Sequence, residues 1–213
     1  MHITWLGHSC FKIQGKDVTI VTDPYAASIG LKLPRLSADI VTVSHGHHDH
    51  SNVGAVSGQP FVIDAPGEYE TKGVFIGGIP AWHDAESGAS RGSNTIYLFQ
   101  LEGVKLAHLG DLGGSLTDEQ LEKLEGVDIL FLPVGGTYTL DGVKAADLVN
   151  QLEPRIVIPM HYKIHGLNIK LDGVEKFLTA MGTKNPETVD KLRTSKKELP
   201  VEETRVVVLK PLP

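Results

Sequence analysis

The chain has 213 residues, 41% of them apolar and 22% charged, which is ordinary globular composition, so one domain over residues 1–213 with a sizeable core is expected. A formal net charge of −6, with no basic run longer than Lys196-Lys197, makes nucleic acid an unlikely partner, and no run nears the roughly 18 apolar residues a membrane helix needs. The start lacks a signal peptide's basic and apolar regions, and Cys10, the lone cysteine, reads as a small buried residue, so a cytoplasmic protein is expected.

Residues 2–6, 10–14 and 17–22 read as a meander of three strands, broken by Gly7 and by Gln14-Gly15-Lys16 and stopped at Asp23-Pro24. Residues 26–37 show no clean period and read as a loop. Residues 39–44, Asp-Ile-Val-Thr-Val-Ser, are a short β-branched strand of the buried type. Further strands are expected at 60–64, 74–79, 95–101, 104–109, 127–134, 156–159 and 205–210. Between them, Thr117-Asp118-Glu119-Gln120 is a capping box opening a helix to about Leu124. Residues 143–152 and 173–180 have helical apolar spacing, and Pro186 suits the first turn of one more helix. Strands first, then alternating helix and strand, predict an α/β protein with mixed sheets. The Gly/Ser-rich stretch 87–93 is long enough for a mobile loop beside a site, and Pro66-Gly67-Glu68-Tyr69-Glu70 fits either a structural turn or a substrate lip.

Ten histidines are present, and four fall in His45-Gly46-His47-His48-Asp49-His50, directly after the buried 39–44 strand. Histidine is the commonest metal ligand. The His-x-His-x-Asp-His spacing puts four donors, His45, His47, Asp49 and His50, on a loop whose backbone the strand holds still. A histidine-rich surface tract would be repetitive and would lack the interleaved Asp. A closed site needs donors from elsewhere, and His83, Asp111 and His161 each follow a predicted strand. Singly they could be a loop histidine, a turn former and a strand cap; together they repeat one context.

An Asp closing an early strand (Asp23), then His-x-His-x-Asp-His, a lone His (His83), Gly110-Asp111 and a late His (His161) resemble the metallo-β-lactamase superfamily over the whole chain. The segments Trp5-Leu6-Gly7-His8-Ser9, Thr22-Asp23-Pro24, Ser44-His45-Gly46-His47, His108-Leu109-Gly110-Asp111 and Ile158-Pro159-Met160-His161-Tyr162 look most like its small metal-dependent hydrolases, the branch that includes ascorbate-phosphate lactonases. The resemblance implies a four-layer αβ/βα sandwich of two mixed β-sheets with metals at the edge where the sheets meet. It implies that His45, His47 and His83 hold one metal, Asp49, His50 and His161 a second, and that Asp111 bridges them. Asp23 would orient the histidine loop through hydrogen bonds, or simply end a strand before Pro24. His50 stands where some lactamases have cysteine, and no long insertion of the β-CASP kind is present, which argues against an RNA-processing nuclease of that type.

Imidazole and carboxylate donors without thiolate suit two divalent ions, zinc by default and Mn²⁺ or Fe²⁺ otherwise. Such a pair lowers the pKa of water from about 15.7 toward about 7, so the expected reaction is attack of a metal-bound hydroxide on a small ester, lactone or phosphodiester. The alternatives are a metal- or ligand-binding protein of the same fold without turnover, or a nuclease. Asp49 would serve as ligand and proton acceptor. His108, three residues before Asp111, would donate a proton to the leaving group or contact an anion, unless it is a packing histidine. His8, in a Gly-His-Ser turn, suits the site rim or a backbone-bonded turn, and His48 reads as a solvent-facing spectator. The expected partner is a small-molecule substrate, and a homo-oligomer is compatible with the sequence.

Overall fold

The computed structural model describes residues 1–212. In chain order the elements are β1 (His2–Gly7), β2 (Cys10–Gln14), β3 (Thr19–Thr22), β4 (Leu36–Ser37), β5 (Ile40–Thr42), β6 (Val56–Ser57), β7 (Phe61–Ile63), β8 (Gly67–Thr71), β9 (Val74–Trp82), β10 (Ser93–Leu101) and β11 (Val104–His108). Then come α1 (Asp118–Leu124), β12 (Ile129–Pro133), α2 (Gly142–Leu152), β13 (Ile156–Met160), α3 (Glu175–Ala180), β14 (Glu187–Val189), β15 (Leu192–Arg193) and β16 (Arg205–Leu209).

Two mixed sheets result. The first has the order β15-β1-β2-β3-β5-β7, antiparallel through the meander and parallel from β3 to β7. The second has the order β14-β16-β13-β12-β11-β10-β9-β8, parallel from β14 to β11 and antiparallel beyond. Strand alternation sorts the first sheet's side chains into two clusters. Trp5, Phe11, Ile13, Ile20 and Ile40 join Ile76, Phe99, Leu106 and Phe131 of the second sheet in one core. Leu6, Cys10, Val21 and Val41 face the other way and meet Tyr25 and Ile29. Cys10 is buried, as its reading as a small apolar residue requires.

The outer layers differ. On the second sheet, α2 offers Ala145, Leu148, Val149 and Leu152 to the main core and packs on α3, which adds Phe177. Over the first sheet the cover is the 25–37 segment, with a 3-10 turn at Ala27–Ile29 and the short β4–β6 pair in place of an α-helix.

Local signals account for most of the helix starts. Thr117 and Gln120 form the complete capping box of α1, and Asp141 caps α2 by accepting from the Val143 and Lys144 amides. The helix expected from Pro186 is instead β14, because residues 187–189 extend the second sheet beside β16. The 66–70 segment, open to reading as a structural turn or a substrate lip, is mostly strand. It forms most of β8, a hairpin partner of β9 with Gly67 opposite Gly78.

Burial sets the cost of side-chain deletion. Phe99 is wholly buried between the sheets, so Phe99→Ala is expected to destabilise the metal-free protein by about 3–5 kcal/mol in urea titration. Phe61, 50% exposed on β7, should cost under about 1 kcal/mol as Phe61→Ala.

Candidate metal centre

The predicted donors all leave strands at one edge. His8 follows β1, Asp23 follows β3, the 45–50 run follows β5, His83 follows β9, Asp111 follows β11 and His161 follows β13. Parallel pairing of β3 with β5, and of β11 through β12 with β13, places those C-terminal ends together. The chain then turns sharply: His8 (φ 55), Asp23 (φ 41) and His161 (φ 52) are all left-handed. Each such turn costs about 1–3 kcal/mol, which surrounding hydrogen bonds must offset. Gly110 (φ 55) is required for space as well, because a Cβ there would strike Asn94 Oδ1 and Ser44.

Two donor clusters form. The ring nitrogens of His45, His47 and His83 make one. His8, Asp49, His50 and His161 make the other, with donor atoms all within 4.8 Å of one another. Asp111 Oδ2 lies between them, 3.3 Å from His83 Nε2, 3.3 Å from His50 Nε2 and 3.1 Å from His161 Nε2. All seven predicted ligands are thus brought together. His48 is exposed and belongs to neither cluster.

Asp23 orients both groups. Its carboxylate accepts from the Ser44 amide (2.7 Å), from Ser44 Oγ (2.6 Å) and from His50 Nδ1 (2.9 Å). Ser44 Oγ in turn lies 3.0 Å from His45 Nδ1. With protons on both Nδ1 atoms, the Nε2 lone pairs of His45 and His50 point into the site. His45 Nε2 and Asp111 Oδ1 are buried with no hydrogen-bond partner among the described residues. A bare ring nitrogen and a bare carboxylate oxygen at the focus of these clusters fit a divalent cation.

Electrostatics agree. Burial pushes the His45 imidazole down to about 3 and the His8 imidazole down to about 4, so both are neutral donors at neutral pH. Burial alone would lower His50 too, but the carboxylates of Asp111, Asp23 and Asp49 together carry it well above the usual range. Burial would raise Asp111, yet His161 and His50 hold it well below the usual carboxylate range. The site is built to receive positive charge.

The role expected of His108 in protonating a leaving group is corrected. The ring is fully buried, its Nε2 donates to the Ser9 carbonyl (2.9 Å), and its Nδ1 accepts from the Gly110 amide (3.2 Å). With both nitrogens engaged, His108 ties the His8-Ser9 turn to the Gly110-Asp111 turn. The 87–93 stretch is likewise no free string: Asp84 accepts from the Glu86, Gly88, Ser90 and Arg91 amides. Sequence reasoning missed Asn94, whose amide donates to the Leu109 carbonyl and accepts from the Asp111 amide, both at 2.9 Å.

Residues 2–161 match the family described as the beta-lactamase superfamily domain. The chain is 33% identical over 188 residues to a UPF0173 metal-dependent hydrolase of Thermococcus onnurineus, covering 75% of this chain and 84% of the relative. It is 31% identical over 193 residues to one of Pelotomaculum thermopropionicum, covering 76% and 84%. A Thermotoga maritima crystal structure described as a putative Zn-dependent hydrolase of the metallo-beta-lactamase superfamily superposes with a TM-score of 0.80 at 38% identity, over 98% of this chain and 97% of that one. Fold, donor set and these likenesses define a metal-dependent hydrolase of the metallo-β-lactamase superfamily. More narrowly, the chain belongs to the UPF0173 metal-dependent hydrolase family.

Because Asp23 sets the ring orientation in both clusters, Asp23→Asn is expected to weaken metal binding by about 10- to 100-fold while the protein stays folded. Competition with a chromophoric chelator reads this directly, and unchanged affinity would remove Asp23 from the orienting role.

Proposed function

We propose that the chain, as one hydrolase domain over residues 1–213, holds two divalent cations and hydrolyses a small ester, lactone or phosphodiester. His45, His47 and His83 would hold one cation, Asp49, His50 and His161 the other, and Asp111 would bridge them. The observation that carries this reading is Asp111 Oδ2, within 3.3 Å of ring nitrogens from both clusters. A nitrogen and oxygen donor set without thiolate suits zinc, and also Mn²⁺ or Fe²⁺. The likeness to the Thermotoga maritima protein, described as Zn-dependent, supports zinc.

Bound cations of this kind supply Lewis acidity and lower the pKa of water from about 15.7 toward about 7. The residues supply position and proton handling. Asp49 is only partly buried, and Asp49 Oδ2 faces the second cluster, where it accepts and holds the proton of the attacking water. Hydrogen bonds from His50 and His8 outweigh the effect of its burial and keep it well below the usual carboxylate range, so it is ionised for that task. His47 is exposed, so the open side of the site lies at His47 and Asp49, and substrate enters there. Asp23 and Ser44 keep the rings in one tautomer, and His108 holds the two turns together from behind.

Elemental analysis of the purified protein should give about two divalent cations per chain. Asp49→Ala should lower kcat/KM on bis-p-nitrophenyl phosphate or on a lactone by at least about 100-fold. A metal-replete protein inactive across a broad ester, lactone and phosphoester panel overturns the assignment.

A further inference from the structure

The reading above, on which this inference rests, gives His8 only a hydrogen bond to Asp49. His8 is fully buried on the turn after β1, in a left-handed conformation, and its carbonyl is fixed by Trp5 Nε1 (2.9 Å) and by the His161 amide (3.1 Å). The backbone is thus clamped, and the ring lies against His161, with centroids 4.3 Å apart. Its Nε2 is 3.2 Å from Asp49 Oδ2 and 3.2 Å from His50 Nε2.

We propose that His8 is itself a metal ligand at the second position, through Nε2, giving that cation the donors His8, Asp49, His50, His161 and Asp111. Metal–nitrogen and metal–oxygen bonds of about 2.0–2.2 Å place neighbouring donors about 3–3.5 Å apart around one ion. The His8 distances of 3.2 Å fall in that interval, as do the 3.3 Å of His50 to Asp111 and the 3.1 Å of His161 to Asp111. A plain hydrogen bond accounts for less. His8 Nε2 carries either one proton or one lone pair, so a hydrogen bond serves only one of its two equidistant partners, Asp49 Oδ2 and His50 Nε2, and leaves the other contact unaccounted for.

The two positions are then unequal. The first has three imidazoles and Asp111, a tetrahedral set; the second has five protein donors and takes a five- or six-coordinate cation.

The wild-type protein decides this without a variant. In ¹⁵N-histidine-labelled protein loaded with ¹¹³Cd²⁺, six imidazoles should show cadmium–nitrogen splitting: His8, His45, His47, His50, His83 and His161. Splitting of the other five with His8 unsplit overturns the proposal and leaves the two-cation reading standing. Loss at His83 and His161 as well brings down both. As a second measurement, His8→Asn, which suits the left-handed backbone but does not reach the ion, should weaken one of the two Cd²⁺ affinities by at least about tenfold. His8→Gln, which keeps an N–H donor, should not restore it. Full restoration by Gln reduces His8 to a hydrogen-bond partner of Asp49 and overturns the proposal.

Discussion

The site depends on what one buried carboxylate does to two imidazoles. Asp23 accepts a hydrogen bond from His50 Nδ1 directly and reaches His45 through the Ser44 hydroxyl, so a single group sets the tautomer of one ring in each cluster. A histidine that presents the wrong nitrogen as N–H is no ligand at all. The cost of keeping Asp23 out of water is met by three hydrogen bonds, two of them from Ser44. This explains why a left-handed Asp before a proline is tolerated at the end of β3.

Asp111 is the complementary case. It too is cut off from solvent, but one of its oxygens has no donor and the other faces three ring nitrogens. Its backbone is fixed by Asn94, and the turn that delivers it passes through Gly110, the one residue type with room there. Asp23 is satisfied by protons and Asp111 is left for cations. Two aspartates with similar burial therefore divide the work of orienting and binding.

Much of this was legible in the sequence. The seven donors stand beside strands with strong β-branched or buried patterns, and strand ends are where the fold gathers them. What was not legible depended on contacts across the chain. His8 fitted a rim or a turn until β1 and β13 were seen to bring it against His161. His108 fitted a proton donor because the sequence does not show that Ser9 and Gly110 take up both its nitrogens. Asn94 gave no signal because its task exists only once β10 has aligned with β11. Pro186 pointed to a helix, yet pairing with β16 outweighed that local preference.

The second sheet carries a further implication in its strand order. β16, near the end of the chain, lies between β13 and β14, while β15 pairs with β1 and Leu212 donates to the Trp5 carbonyl. Until β16 has been made, β13 therefore has an unpaired edge. One stretch, 192–212, closes both layers, so neither sheet is complete without the other.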